Sequence, residues 1–307
     1  MEDELWAALY PLVCQEDKRR PRRKGVCYRD GFILTVALWA ILHDRPICWA
    51  CCACNWGDAL PWARLPSPAT MTRRLRTLSL RLLLEQVFYR LLAAEAARGF
   101  CLCRRIDSKP LPVGGFSKDR DARRGYATGG VARGYKLFGC WGSGRPVPEA
   151  LVLGPLSQSD QAGAMHLIER LNQLHDGSVG GYLLGDSTHD TNPLHDYAAR
   201  HGLQLLAPRK RPASGLGHRE HASQRLRSIA LLEPPRIPPA APMPSLGPQL
   251  YRCRGQIERD YGQMASFGGG LQPLPSWVRR PHRVVLWVIA KVIINGIRIC
   301  QNHGLTP

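Results

Sequence analysis

The hydrophobic period of this chain changes near residue 100, and no other feature constrains its fold as strongly. Before that point the spacing is helical. Residues 29–44 carry Phe32, Ile33, Val36, Leu38, Trp39 and Leu42 at three- and four-residue steps, and Pro46 stops the run. Ser67-Pro68 is a helix start, with serine as cap and proline in the first turn, and a helix rich in Leu, Arg and Ala is expected over 69–98. After Phe100 short apolar runs alternate with helical ones. Residues 101–107 read as a strand, 114–134 as a Gly- and Arg-rich loop, and 135–141 and 148–153 as strands joined by a turn at Gly142-Ser143-Gly144. A helix over 160–174, with Met165, Ile168, Leu171 and Leu174 on one face, precedes a strand at 181–186. A helix at 192–201 and a strand at 203–207 follow.

Three successive strands followed by alternating helices and strands suit an α/β layer fold. The ribonuclease-H-like arrangement is one of several that the pattern allows. The expected division is a helical region over 1–100 and an α/β domain over 101–307. Residues 208–250 form a long irregular insertion, with seven prolines between Pro234 and Pro248. Insertions of that length are usually functional or mobile. Helix resumes near Tyr251, runs through Glu258 and ends at Gly268-Gly269-Gly270, and a last helix follows Pro281.

Charge narrows the function. The 307 residues hold 42 basic and 24 acidic side chains, a net +18. Self-repulsion on that scale costs stability and points to a polyanion partner. The cations cluster at Lys18-Arg19-Arg20 with Arg22-Arg23-Lys24, at Arg73-Arg74-Arg76, Arg123-Arg124 and Arg209-Lys210-Arg211, and at Arg279-Arg280 with Arg283. Any one cluster would also serve as a solvated face; together they favour nucleic acid. Arg73, Arg74 and Arg76 sit in the first turns of the helix after Ser67, which suits a helix-turn-helix reader of DNA and equally an exposed helix of a bundle. The apolar run 284–300 carries Lys291, Asn295 and Arg298 at helical steps, so it reads as an amphipathic helix rather than a membrane span. The acidic start Met1-Glu2-Asp3-Glu4 does not resemble a signal peptide, and a cytoplasmic location is expected. Eleven cysteines, an odd number, point to reduced thiols. Cys48-x-x-Cys51 has zinc-like spacing but no second pair follows closely, and Cys101 and Cys103 read as small hydrophobes on a strand.

Two acids stand at expected strand ends, Asp107 before Ser108-Lys109-Pro110 and Asp186 before Ser187-Thr188-His189-Asp190. In an open α/β sheet the carboxyl ends of strands face the crevice. Adjacent strands would bring the two carboxylates together, where bare charges repel and a divalent cation such as Mg²⁺ or Mn²⁺ removes the penalty. Alone, each would also serve as a turn or cap residue. Glu258 shares a helix face with Arg254 and Tyr261, an arrangement that also fits a surface salt bridge.

Three blocks taken in order resemble the catalytic blocks of bacterial insertion-sequence DDE transposases, those of the insertion-sequence-five type most of all. They are Ile106-Asp107-Ser108-Lys109, then Leu184-Gly185-Asp186-Ser187-Thr188-His189-Asp190, then Tyr251-x-x-Arg254-x-x-x-Glu258-Arg259-x-Tyr261-Gly262. Leu274-Pro275-Ser276-Trp277-Val278-Arg279-Arg280 with residues 285–297 is similar to the family's closing helix, and Tyr28-Arg29-Asp30, Arg45-Pro46 and Leu65-Pro66-Ser67 match near the start. The resemblance implies a ribonuclease-H-like catalytic domain over 101–307 and a DNA-end-binding region over 1–100. It makes Asp107, Asp186 and Glu258 the catalytic triad, holding two Mg²⁺ or Mn²⁺ ions. It implies cleavage and strand transfer at the element's ends by a homodimer on DNA. Arg254 would pair with a phosphate or orient Glu258, and Arg73, Arg74, Arg76, Arg209, Lys210 and Arg211 would contact DNA. His189, beside Asp186, is a candidate base that the metal makes unnecessary. Where the signature carries a lysine seven residues after the glutamate, this chain has Ala265. A non-catalytic DNA-binding derivative, or a nuclease without strand transfer, would share the charge and the fold.

Overall fold

A computed structural model describes residues 2–21, 25–59, 64–96, 101–145, 147–177, 179–211, 214–218, 220–233, 245–266, 271 and 274–302. In chain order the elements are helices α1 (Glu2–Lys18), α2 (Asp30–Leu42), α3 (Pro68–Arg74) and α4 (Leu78–Ala96), then strands β1 (Cys103–Pro112), β2 (Arg123–Ala127), β3 (Gly130–Gly142) and β4 (Ala150–Pro155). Next come α5 (Asp160–Leu174), β5 (Gly181–Leu184), α6 (Asn192–Arg200), β6 (Leu203–Leu206), α7 (Ser223–Leu232), α8 (Leu246–Arg252), α9 (Gln256–Ser266) and α10 (Pro281–Asn302). The chain forms two compact units, one of Met1–Arg98, Val113–Asp121 and Gln263–Pro307, the other of Gly99–Pro112 and Ala122–Gly262.

The first unit is helical, and its grouping differs from a single break near residue 100, because α10 packs with α4, α1 and α2. Helix α2 is buried on all sides, as a helix apolar all round must be. Helix α10 is long and apolar enough to cross a membrane, yet 78% of its most apolar stretch is buried within the protein. Its polar stripe is satisfied inside: Lys291 pairs with Asp44, and Asn295 accepts a bond from Arg298 at 2.8 Å. Ser67 caps α3 through its hydroxyl, which accepts from the Thr70 N–H at 3.2 Å. The single helix expected over 69–98 is two, because Thr77 interposes a second cap and accepts from the Leu80 N–H. Arg74 is turned inward, a correction to its expected place on DNA. Its guanidinium donates to Asp30 Oδ1 at 2.6 Å and to the Tyr28 carbonyl at 2.9 Å, with Arg20 and Ser79 on the same carboxylate. Arg73 and Arg76 remain exposed.

The second unit is built on a six-stranded mixed sheet. β1 pairs antiparallel with β3 and parallel with β5, and β5 runs parallel to β6. The other edge of β3 is shared by β2 and β4. Antiparallel strands leading into a β1-β5-β6 parallel set make the ribonuclease-H-like order, as expected. β1 does not end at Asp107 but continues to Pro112, and the loop expected over 114–134 contains β2 and the start of β3. Part of the expected irregular insertion is helical, as α7 and α8; residues 234–244 lie outside those described, as do Gly268-Gly269-Gly270 and the Ala265 side chain.

Alternation sorts the two faces of this sheet. Ile106, Leu183, Leu203 and Leu205 join Ala164, Leu167, Ile168 and Ala198 of α5 and α6 in the larger core. At Gly163 of α5 an added Cβ would lie 2.1 Å from the Phe138 ring, so glycine lets the helix settle onto the sheet. Cys103, Leu184 and Leu206 face the other way, toward Leu231, Leu250 and Cys253.

Two adjacent arginines in β1 are buried, one on each face. Arg104 donates to Glu149 at 2.8 Å, and Arg105 to Asp260 at 2.8 Å. Burial alone would raise the Glu149 carboxyl, but His175, Arg104 and Arg145 bring it down to about 2. A carboxylate depressed on folding stabilises above its unfolded pKa, and that stability is lost as pH falls through the folded value. Between the ordinary 4.5 and about 2, wild type should lose on the order of 3 kcal/mol from this group, at about 1.4 kcal/mol per pKa unit. In Glu149→Gln that part of the pH dependence should vanish from denaturant-unfolding curves recorded across the acid range; an unchanged pH profile would contradict it.

Candidate active site

Asp107 and Asp186 meet because of register. The parallel pairing sets Cys103 beside Tyr182 and Arg105 beside Leu184. Carried on two residues, the same register sets Asp107 opposite Asp186. Both lie on the face of Cys103 and Leu184, since side chains alternate along a strand. Beyond Arg105 the pairing with β5 ends and β1 keeps only β3, which opens the crevice where the acids stand.

Each aspartate is held. The Ser108 N–H donates to Asp107 Oδ1 at 2.8 Å. Asp186 caps the 3-10 turn Ser187–His189, and its Oδ1 accepts from the Thr188 N–H at 3.0 Å and from His189 Nδ1 at 2.7 Å. These bonds all fall on Oδ1; among the described residues nothing engages Oδ2. Burial pushes the Asp107 carboxyl up, and Asp186 adds to the rise against the Ser108 N–H and Arg254. Burial acts the same way on Asp186, but the bonds from His189 and Thr188 hold it well below the usual carboxylate range. His189 is buried with its Nδ1 committed to Asp186, so here it positions the carboxylate.

Glu258 reaches this place on α9. Arg105 and Asp107 point to one face of β1, and the Arg105–Asp260 pair holds the first half of α9 there. The Tyr261 hydroxyl donates to the Asp107 carbonyl at 3.0 Å, and its ring meets Trp141 edge-on at 4.7 Å. The Tyr251 hydroxyl donates to the Gly185 carbonyl at 3.1 Å, tying the end of α8 to the Asp186 strand. Arg254 then spans two of the acids, 3.4 Å from Asp107 Oδ2 and 3.7 Å from Glu258 Oε1. Its Nε is buried and has no hydrogen-bond partner among the described residues.

The structure thus brings Asp107 and Asp186 together and sets Glu258 on the same guanidinium as Asp107. Arg209, Lys210 and Arg211 follow β6 at the same end of the sheet. The all-oxygen donors, one with an unengaged atom, fit a hard divalent cation in type. Two mutually repelling carboxylates fit one in charge. Among the described residues, however, no three acidic, histidine or cysteine side chains are gathered as a ready ligand set, for Glu258 is turned to Arg254. Sequence reasoning missed Arg105 and Asp260. The available signal was an Arg-Arg pair inside an apolar strand, which requires buried acids as partners.

Residues 102–293 match the family described as Transposase DDE domain. No curated protein matches the chain. Solved structures that match include a cryo-EM structure of a piggyBac transposase synaptic complex with hairpin DNA. It is 10% identical, with a TM-score of 0.48 over 98% of this chain and 74% of that one, a likeness too distant to bear on activity.

Proposed function

The chain belongs to the Transposase DDE domain family, and we propose that it is a bacterial insertion-sequence transposase of the insertion-sequence-five type, with Asp107, Asp186 and Glu258 as its triad. The shared register of Asp107 and Asp186, with Arg254 joining Asp107 to Glu258, carries the reading. Two Mg²⁺ or Mn²⁺ ions held by these acids would activate water or a 3′-hydroxyl and stabilise the leaving oxygen of a phosphodiester. Asp186 offers Oδ2, while His189 and Thr188 fix its other oxygen. Tyr251 and Tyr261 hold α8 and α9 to the strands that carry the aspartates. Arg254 exchanges its carboxylates for a DNA phosphate, to which a guanidinium binds well. Joining an end to a target exchanges one phosphodiester for another, so it needs no external energy. Two ends call for two sites, hence a homodimer on DNA. The helical region selects the ends through Arg73 and Arg76.

The test is incubation of the protein with Mn²⁺ and a duplex carrying the genomic sequences that flank its coding region. Nicked strands followed by joined products are expected. Nicking without joining would leave a nuclease, and DNA binding without nicking would leave a non-catalytic derivative.

Arg254 gives a second expectation. A unit charge about 5 Å away is worth roughly 3 kcal/mol at an effective dielectric of about 20. Its guanidinium therefore competes with a cation for these acids. Arg254→Ala should tighten Mn²⁺ binding to the DNA-free protein by about tenfold or more, read by titration calorimetry. Losing this cation pushes Asp107 further up, so the titration belongs at mildly alkaline pH, where the carboxyl stays ionised. Weaker Mn²⁺ binding would show instead that Arg254 gathers the ligands.

A further inference from the structure

Beyond β6 the chain shapes a second polar cleft, of about 440 Å³, lined by Arg209, Lys210, Arg211, His221 and Arg225 with Asp190 at its base. Its cations fall into two kinds. Arg225 donates through Nε and Nη2 to Asp190, each at 2.7 Å, and through Nη1 to His221 at 2.6 Å; Arg209 is clamped by Glu233 and donates to the Ser214 carbonyl at 2.6 Å. These fixed guanidinia are the frame. Lys210 and Arg211 are exposed, and among the described residues nothing engages either side chain. Two cations that no described residue engages, beside a wall of paired ones, with one buried acid already spent on Arg225, make a seat for an anion larger than a single ion.

Its position says which anion. One short turn joins the cleft to the candidate active site: Asp186 stands before the turn Ser187–His189, and Asp190, directly after it, anchors Arg225. β5 and β6 are neighbouring parallel strands, so the residues following each emerge at the same end of the sheet. We propose that this cleft seats consecutive phosphates of the DNA strand that enters the candidate active site, with Lys210 and Arg211 binding them directly and the Arg225–Asp190 pair fixing the wall. The proposal rests on the transposase reading and adds the path of the substrate backbone to it.

The test is fluorescence-anisotropy binding of a labelled duplex over a salt series, using the full chain. Lys210→Gln/Arg211→Gln should bind at least tenfold more weakly at low salt. Its slope of log affinity against log salt should be shallower by about two, at roughly 0.9 for each phosphate no longer neutralised. Arg200→Gln/Arg227→Gln removes the same charge from exposed residues of α6 and α7 that do not line the cleft, and should change the slope by less than half as much. Equal effects in the two pairs, or none in the first, would overturn the cleft while leaving the transposase reading standing. Wild-type protein that binds DNA without salt dependence would overturn both.

Discussion

Asp186→Asn should lose DNA cleavage by more than about 100-fold, beyond the 10–100-fold range expected when only an outer-shell partner of a metal ligand is lost. The asparagine keeps an Oδ1 that can accept from Thr188 and His189, so the cap on the turn at Ser187–His189 survives. It loses the charge, and it places an N–H₂ where Oδ2 now stands unengaged. It also removes the charge that the His189 and Thr188 bonds favour, so the folded state should lose some stability at neutral pH, offset in part because Asp186 no longer pushes Asp107 up. Thermal unfolding should therefore stay cooperative with a modestly lowered midpoint, while a Mn²⁺-dependent nicking assay run well below that midpoint shows almost no product. Cleavage within tenfold of wild type would remove Asp186 from the triad. A variant unfolded at the assay temperature would move its role to the turn.

How far the sequence can be read depends on what physical signal each segment leaves. Helix α5 is legible to the residue, because an amphipathic stripe marks its face; in the structure the Ser159 hydroxyl caps its start. β1 reads short because Pro110 and Pro112 look like breakers. They are tolerated because β1 has left its β5 partner by then, and a proline sits at such an edge without breaking a ladder bond on that side. β2 escapes notice because Arg-Arg-Gly-Tyr-Ala has no apolar alternation and is largely exposed. Its existence rests on backbone pairing and on a turn through Gly129 and Gly130, at φ 93° and 126°, where side chains would be strained. Of the site, the two aspartates can be read because parallel strands carry their register into sequence as a repeated context of apolar run and acid. The partners of buried charges cannot be read so. Arg74 looks like a DNA contact because nothing local shows Asp30 waiting 44 residues away. Arg105 and Asp260 lie 155 residues apart, and only the fold makes them a pair.

That pair should give the largest stability effect in the second unit. Arg105 is 1% exposed and Asp260 3% exposed, so Asp260→Ala strands a guanidinium that cannot lose its proton. Removing one partner of a buried ion pair costs about 3–5 kcal/mol. Burial raises the Asp260 carboxyl in spite of Arg105, so forming the pair is itself expensive, and the loss measures an uncompensated charge rather than a strong bond. Arg105→Met/Asp260→Leu should therefore recover most of the stability in urea unfolding, because apolar side chains of similar size commonly replace such pairs without loss. The recovered variant separates holding the fold from aiming the site. α9 carries Glu258 two residues before Asp260, and the ion pair fixes that helix by direction, which an apolar contact does not. If the pair aims Glu258, the double variant regains wild-type unfolding but cleaves at least tenfold more slowly. If cleavage returns together with stability, packing of α9 through Tyr261 and Trp141 suffices to place the glutamate.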